Sequence, residues 1–166
     1  VLPTVDFEES DDFRRWAEKE AKNLRRETKF ILFNCLKKLK EKEKKENIDM
    51  NIYLKRLLYE IKIIDKMDFA RYILVYFKII EFCKKNNILY GPGRGSAAGS
   101  LVNYLLDITK IDPIKFKLSF ERFINIYRDD LPDVDIDFDS ERRNEIIDFI
   151  IKEFTPTRAA LLGAFG

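Results

Sequence analysis

Three aspartates alternate with apolar residues in Leu-Pro-Asp-Val-Asp-Ile-Asp-Phe, the segment at residues 131–138. This period of two predicts a strand with Asp133, Asp135 and Asp137 on one face and apolar side chains on the other. Because alternate residues of a strand lie about 6–7 Å apart, neighbouring carboxylates would repel each other by about 2.5 kcal/mol at an effective dielectric constant of about 20. A cation is therefore expected at this face.

Divalent metal ions are the cations that best suit such an acidic face. Carboxylates are hard oxygen ligands for Mg²⁺, and two ions about 3.5–4 Å apart form the usual clamp for phosphoryl transfer. A calcium-binding loop does not fit, because the sixth and twelfth positions counted from Asp133 are Phe138 and Asn144 instead of Gly and Glu. The alternative without a ligand is a half-exposed edge strand whose charges prevent aggregation.

A glycine-rich stretch, Gly-Pro-Gly-Arg-Gly-Ser-Ala-Ala-Gly-Ser at residues 91–100, is the second candidate for chemistry. It follows a predicted short strand at 88–90 and precedes an apolar helix, so backbone amides and a helix N-terminus could bind a phosphate there. Ser96 can add a hydroxyl donor, and Arg94 a forked cation. The alternative is a tight turn before a helix. The Gly-Lys-Ser/Thr of a P-loop is missing, and no βαβ unit supports a dinucleotide fold.

The elements that must position these two stretches are predicted to be mostly helical. Apolar residues at spacings of three and four predict one helix from Asp12 into the region 37–45, a second over 52–66 and a third over 69–85. Asn86 and Asn87 are typical helix stops, and residues 1–9 are predicted to form a linker. The buried side of the second helix is predicted to comprise Leu54, Leu57, Leu58, Ile61 and Ile64.

The composition excludes several classes of protein. The 166 residues contain no histidine, which argues against the usual zinc chemistry, serine or cysteine triads and imidazole catalysis. No apolar run approaches the roughly 20 residues of a membrane span, and no signal peptide is visible, so we expect a cytoplasmic protein without membrane partners. Cys35 and Cys83 lie on predicted helices and are expected to be reduced thiols.

Charge is segregated along the chain, although the net charge is only +2. Lysine and arginine crowd the first half, and acidic residues concentrate at 129–139, which suits a protein that holds a polyanion while chelating metal. The lysines and glutamates at 37–46 are predicted to form a solvated, salt-bridged surface, with contact to DNA as the alternative.

The order of these features resembles that of nucleotidyltransferases of the polymerase beta superfamily, in which a Gly-Ser turn at the head of a helix is followed by a strand with Asp-x-Asp. The chain is more closely similar to the palm of C-family DNA polymerases, the family of the bacterial DNA polymerase III alpha subunit. This resemblance covers roughly residues 50–150 and rests on YGPGRGSAAGSLVNYLL at 90–106, ITKIDPIKFKLSFERFIN at 108–125 and LPDVDIDF at 131–138.

The resemblance implies an α+β fold, with an incomplete polymerase-beta-like palm in residues 50–166. Residues 1–49 would be a linker and helical segment that follow a missing N-terminal domain. Asp133 and Asp135 match the two metal-binding catalytic aspartates of the family motif, and Asp137 matches its third acid, a supporting charge at the metal site. Two Mg²⁺ ions are the implied cofactor.

Phosphate-binding residues are implied in the same way. Gly95 and Ser96 match the pair that holds the phosphates of the incoming nucleotide, and Arg122 matches an arginine that reaches the same phosphates. From its surroundings alone, Arg122 could equally be a surface residue between the apolar Phe120 and Phe123.

The chain also departs from the family pattern. It has Asn125-Ile126 where the family usually has Asn-Pro, and Leu131 where it usually has Met. Residues 155–160 are unlike the family, although Ala-Phe-Gly at 164–166 resembles its Thr-Phe-Gly. The third catalytic aspartate of the family would lie beyond the end of this chain, so the fragment is expected to fold without necessarily being active.

The function implied is template-directed DNA synthesis from deoxynucleoside triphosphates by a replicative polymerase. The implied partners are primer–template DNA and, through missing regions, a sliding clamp and other replisome subunits. Two alternatives remain open: another nucleotidyltransferase, such as one that adds nucleotides without a template, and a helical binding module without catalysis.

Overall fold

Helices dominate the part of the chain that the computed structural model describes, which is residues 5–128 and 130–154. Two short strands, β1 (Tyr90–Arg94) and β2 (Asp135–Phe138), form an antiparallel sheet, and 3-10 turns occupy Gly95–Gly99, Phe120–Arg122 and Ser140–Arg142. This combination is an α+β fold, as the sequence predicts. In chain order the helices are α1 (Asp11–Glu20), α2 (Arg26–Lys45), α3 (Met50–Lys66), α4 (Ala70–Lys85), α5 (Leu101–Leu105) and α6 (Arg143–Glu153).

Polar side chains mark several helix ends. The Ser10 hydroxyl accepts a hydrogen bond from a first-turn amide of α1 at 3.1 Å, and the Asp49 carboxylate caps α3 in the same way. The helices predicted over 52–66 and 69–85 are confirmed as α3 and α4. The predicted stop is also confirmed, because Asn86 caps α4 and Asn87 has a φ of 54°, a left-handed conformation that asparagine tolerates.

The chain turns between α1 and α2, so the prediction of one continuous helix from Asp12 into 37–45 is wrong. Phe13 and Phe30 would lie about 25 Å apart along a continuous helix, but their ring centroids are 5.7 Å apart. Folding α1 back against α2 buries Phe13 and Ala17, which a single extended helix would leave in water.

A carboxylate from a distant helix marks the beginning of α2. Asp65, near the end of α3, accepts hydrogen bonds from the Arg25 amide at 3.0 Å and from the Thr28 hydroxyl at 2.7 Å. A negative charge beside a helix N-terminus is favourable. Because Arg25 and Asp65 are 40 residues apart, the local sequence does not reveal this boundary.

A single cluster of buried side chains extends from Val5 to Phe154 and includes residues of all six helices. Val5 and Phe7 belong to it, so two side chains of the predicted linker pack against the helices. Residues on both sides of the predicted domain boundary at 49/50 contribute to the same core. The boundary itself stays a prediction.

The inward face of α3 differs in part from its prediction. Leu57, Ile61 and Ile64 are buried as predicted, but Leu58 is 53% exposed. The charged Glu60 is buried instead.

The two strands are displaced from their predicted positions. The prediction of a strand at 88–90 is wrong except for Tyr90. β1 continues from Tyr90 into the glycine-rich segment, for which the sequence predicts a turn. Pairing with β2 decides this placement. β2 is shorter than the predicted 131–138, but the predicted alternation is confirmed: all three aspartates are exposed, while Val134 and Ile136 are buried.

Two further predictions concern the chain as a whole. Cys35 and Cys83 lie on α2 and α4, as predicted, and both are buried free thiols. Burial raises the pKa of the Cys83 thiol to about 11. Within residues 5–128 and 130–154, no helix has both the length and the apolar character needed to span a membrane.

Candidate active site

The acidic segment and the glycine-rich segment meet because β1 and β2 pair with each other. In the antiparallel register, Arg94 lies opposite Asp135 and Gly91 lies opposite Asp137, with an irregularity between these two pairs. The strands are separated by about forty residues of intervening chain, which contain α5 and the turn that carries Arg122. The sheet therefore brings both predicted chemical stretches to one place.

Arg94 neutralises part of the acidic face. Its guanidinium donates a hydrogen bond to Asp137 Oδ1 at 3.1 Å and lies 2.9 Å from Oδ2, and it is 3.9 Å from Asp135 Oδ2. The three side chains are 62–67% exposed, so solvent screens these ion pairs. The partners of Arg94 in this structure are thus carboxylates, whereas the sequence predicted that it would bind phosphate.

A cleft of about 650 Å³ lies beside the sheet, a volume within the usual range of small-molecule sites. Ser96, Arg122 and Asp133 line this cleft together, so one predicted phosphate donor, one predicted phosphate-binding cation and one predicted metal ligand share its wall. Arg94, Asp135 and Asp137 are not among the described residues that line it. They occupy the adjoining sheet.

Arg122 is available for an anionic ligand. Its side chain has no ion-pair or hydrogen-bond partner within the described part of the chain, whereas the ion pairs of Arg56 and Arg94 are formed. The cleft wall also contains Arg128 and Asp130, which the sequence analysis did not select. The run Arg-Asp-Asp at 128–130 is the signal that could have identified them.

The turn that carries Ser96 has an unusual backbone conformation at its first residue. Gly95 has a φ of 67°, and among the described residues no atom beyond the glycine itself and its two chain neighbours lies within 4 Å of the position where a Cβ would stand. A side chain would therefore have room but would strain the backbone. The left-handed conformation directs the chain from β1 into the 3-10 turn Gly95–Gly99.

The Ser96 turn and the Arg122 turn contact each other at Gly99. A Cβ added to Gly99 would lie 2.4 Å from the Ser119 carbonyl oxygen and 3.7 Å from the Arg122 Cβ. A glycine is thus required for the two turns to approach this closely. This contact places Ser96 and Arg122 on the same cleft.

Glu60 is a buried carboxylate that fixes the end of the Ser96 turn. It accepts hydrogen bonds from the Ser100 hydroxyl at 2.9 Å and from the amides of Leu101 at 2.8 Å and Val102 at 3.0 Å. Burial raises the pKa of the Glu60 carboxyl, and the hydrogen bonds from these amides and from Arg56 oppose that change. Glu60 caps α5 from another helix, which explains a charge on the buried face of α3.

Arg56 joins the same group one turn earlier on α3. It contacts Glu60 at 2.7 Å and donates hydrogen bonds to the Gly99 carbonyl at 2.7 Å and the Leu118 carbonyl at 2.9 Å. On the same side of the helix, the Tyr59 hydroxyl donates to the Glu121 carboxylate. No pattern in the sequence predicted a role for these residues. The only local signal is an Arg-Glu pair four positions apart beside the apolar face of α3.

Asp133 lies near the tyrosines of α4. Burial raises the pKa of the Tyr72 hydroxyl, and the neighbouring Tyr76 and the charge of Asp133 raise it further. The two hydroxyls are 3.5 Å apart. Because both tyrosines remain protonated at neutral pH, α4 presents neutral polar groups on the side of Asp133.

The three predicted metal ligands do not form a complete three-carboxylate site. Over the described ranges, no group of three or more acidic or thiol side chains is arranged to hold a metal ion. Asp133, just before β2, and Asp135, its first residue, are both exposed, so they provide hard oxygen donors of the type that Mg²⁺ prefers. The chemistry of these two side chains fits Mg²⁺, and Arg94 lies beside both Asp135 and Asp137.

Comparison with known proteins finds one matching family model and several similar proteins. A family model described as the bacterial DNA polymerase III alpha NTPase domain matches residues 29–166. The DNA polymerase III subunit alpha of Staphylococcus aureus (strain MRSA252) is 46% identical over 123 residues, which cover 74% of this chain and 12% of the relative. The protein of the same name from Rickettsia prowazekii (strain Madrid E) is 44% identical over 163 residues, which cover 98% of this chain and 13% of the relative.

The matched regions cover most of this chain but only a small share of each relative. The family match begins inside α2 and includes both strands and the segments that form the cleft. The chain itself spans only about an eighth of the length of these two relatives. The sequence departures at 155–160 and the Ala-Phe-Gly at 164–166 lie outside the described residues.

Proposed function

We propose, because the chain belongs to the bacterial DNA polymerase III alpha family, that it forms the part of a replicative DNA polymerase that binds the incoming nucleotide. In this proposal the described α+β fold is part of a polymerase-beta-like palm. The observation that carries the proposal is the cleft shared by Ser96, Arg122 and Asp133. A hydroxyl donor, a guanidinium that has no partner among the described residues, and a carboxylate on one wall suit a triphosphate with its metal ions.

Asp133 and Asp135 would hold two Mg²⁺ ions, with Asp137 as a supporting charge. When bound, such ions lower the pKa of an attacking hydroxyl and stabilise the charge of a leaving phosphate. The chain itself has no histidine for this purpose. Carboxylates that bind metal and a guanidinium in the same cleft that binds phosphate suit such chemistry.

Gly95, Ser96 and Arg122 would orient the triphosphate, and Arg94 would balance the charge of the acidic strand. The primer 3′-hydroxyl would attack the α-phosphorus, its proton would leave to solvent, and the bond to pyrophosphate would break. The side chains of the cleft would contribute by positioning and by electrostatic stabilisation, with little acid-base chemistry.

The partners of the proposed enzyme are primer–template DNA and deoxynucleoside triphosphates. A sliding clamp and other replisome subunits would bind regions of the polymerase outside this chain. A bacterial replicative enzyme works on the chromosome, so we propose a cytoplasmic location.

Primer extension by the natural protein that carries this chain tests the proposal. Asp135→Asn should reduce incorporation by about a thousandfold or more, because one of the two proposed metal-binding carboxylates would become a neutral, weaker ligand, while binding of duplex DNA changes little. Asp148→Asn, at an exposed position of α6, is the matched control and should retain full activity.

Three outcomes would contradict the proposal. Retained incorporation in Asp135→Asn would exclude the metal-binding role. Equal extension with and without a template would favour a nucleotidyltransferase of another kind. A wild-type protein that binds neither Mn²⁺ nor Mg²⁺ in calorimetry and incorporates no nucleotide would favour the non-catalytic binding module.

A further inference from the structure

We propose that Arg56, Tyr59 and Glu60, on one side of α3, position the two halves of the nucleotide cleft relative to each other. The halves are the turn that carries Ser96 and the turn that carries Arg122. The proposal rests on the proposed function, because it assigns positioning residues to that same site. Residues three and four apart on a helix face the same way, so a single rigid helix can hold both turns.

Glu60 fixes the first half. Its two carboxylate oxygens receive the Ser100 hydroxyl and two amides of α5, and the side chain is completely buried. The turn Gly95–Gly99 ends immediately before these donors. The end of the Ser96 turn therefore cannot shift along α3 without leaving buried donors and a buried carboxylate unpaired, which is costly.

Arg56 connects this half to the second. One terminal nitrogen of its guanidinium donates both to the Gly99 carbonyl, at the end of the Ser96 turn, and to the Leu118 carbonyl, just before the Arg122 turn. Its Nε is bound to Glu60. Because the guanidinium is planar and its donors have a fixed geometry, Arg56 acts as a spacer of constant length between the two carbonyls.

Tyr59 secures the second half by contacts within the Arg122 turn itself. Its hydroxyl donates to Glu121, the residue adjacent to Arg122, and its ring packs edge-on against Phe120 with centroids 6.2 Å apart. Together Arg56 and Tyr59 hold α3 to the Arg122 turn and to the residue that precedes its N-cap. Arg122 itself stays unpaired within the described chain, so its guanidinium is presented to the cleft.

These three residues act without touching the nucleotide. They are not among the described residues that line the cleft, so they are positioning residues. A triphosphate must meet the Ser96 hydroxyl and the Arg122 guanidinium at the same time. A displacement of about 1 Å between catalytic groups can reduce a rate by about a hundredfold, so the spacing set by α3 should control nucleotide binding.

Steady-state incorporation by the natural protein that carries this chain tests the inference. Arg56→Ala should raise the KM for the deoxynucleoside triphosphate by about tenfold or more. Arg56→Lys should recover only part of this loss, because an ammonium lacks the planar fork. Arg15→Ala, which removes an exposed arginine ion pair on α1, is the matched control and should leave KM unchanged.

KM separates positioning from a general loss of folding. A partly unfolded preparation has a lower apparent kcat because fewer molecules are active, but the folded molecules keep their KM. If Arg56→Ala does not fold, Tyr59→Phe decides the question, since it removes one hydroxyl from a half-exposed side chain. This variant should raise KM about two- to fivefold with an unchanged melting temperature.

The outcomes distinguish the inference from the function on which it rests. Suppose that the wild type incorporates nucleotides and that Arg56→Ala and Tyr59→Phe both keep the wild-type KM. α3 then does not set the geometry of the cleft, and the inference is overturned. If Arg56→Ala is unfolded, a wild-type KM in Tyr59→Phe alone has the same consequence. The proposed function would stand in that case. If the wild type neither binds nor incorporates nucleotides, the proposed function fails and the inference fails with it.

Discussion

The Arg94 guanidinium lies 2.9 Å from a carboxylate oxygen of Asp137 and 3.9 Å from one of Asp135. A cation of the glycine-rich strand thus bridges two acids of the proposed metal-binding face. The sequence alone predicts that these carboxylates repel each other, and the positive charge of Arg94 reduces that repulsion. A metal ion that binds Asp135 must therefore tolerate or displace a nearby positive charge.

Removing that charge should strengthen metal binding. We expect Arg94→Gln to increase the affinity of the 166-residue chain for Mn²⁺ about tenfold at low ionic strength, because a unit charge about 4–6 Å from a divalent ion costs about 1.4–2 kcal/mol at high dielectric constant. Isothermal titration calorimetry measures this change. The effect should shrink in high salt, and Arg15→Gln on α1 should have none. An unchanged or weaker affinity in Arg94→Gln would show that Arg94 does not compete with the metal.

A second prediction follows from the contact between the Ser96 turn and the Arg122 turn. Gly99→Ala would bring a methyl group to 2.4 Å from the Ser119 carbonyl oxygen, so we expect a loss of about 1–3 kcal/mol in the free energy of unfolding. Gly91→Ala is a suitable control, because its new Cβ would make an ordinary contact at 3.4 Å from the Asp137 Cβ. Urea denaturation gives both values. Equal stability of the two variants would mean that the turns separate easily.

Local periodicity explains what the sequence predicts well. The exposed aspartates and buried Val134 and Ile136 follow from a period of two, and α3 and α4 follow from apolar residues at helical spacing. Family resemblance identified Arg122, which local surroundings could not separate from an ordinary surface arginine. The cleft that it shares with Ser96 and Asp133 is formed by segments whose relative positions no local pattern contains.

Long-range contacts explain what the sequence predicts poorly. The beginning of α2 depends on Asp65, 40 residues away, and β1 is placed by its pairing with β2 and not by the apolar residues before it. Arg56 and Glu60 look like a surface ion pair, but they bind backbone groups of segments about 40–60 residues further on. Such partners become visible only once the chain is folded.

A buried polar cluster at the other end of α3 supports the fold in a similar way. The Asp112 carboxylate accepts a hydrogen bond from the Tyr53 hydroxyl, lies 3.5 Å from Lys42 Nζ and accepts a bond from the Ile114 amide at 2.9 Å. Asp112→Ala would leave a buried hydroxyl and a buried ammonium without this partner, so we expect a loss of about 3 kcal/mol in stability.

Urea denaturation with a matched aspartate tests this cluster. Asp6→Ala, at an exposed position near the start of the described chain, should change the free energy of unfolding by less than about 0.5 kcal/mol. If Asp112→Ala lowered the free energy of unfolding by as little as Asp6→Ala does, water or another group would have to replace the carboxylate.

The pH dependence of stability should reveal the ion pairs of Glu46. Hydrogen bonds from Lys115 and Lys42 lower the pKa of the Glu46 carboxyl to about 2, below the value of about 4.3 for a free glutamate. A depressed carboxyl pKa stabilises the fold fully above the unfolded pKa, and this contribution is lost as the pH falls toward the folded pKa. The urea midpoint of wild type should therefore exceed that of Glu46→Gln at about pH 6, and the difference should fall below half by about pH 3. Glu43→Gln, an exposed neighbour on α2, should show no such trend, and a constant difference for Glu46→Gln from pH 6 to 3 would contradict the depressed pKa.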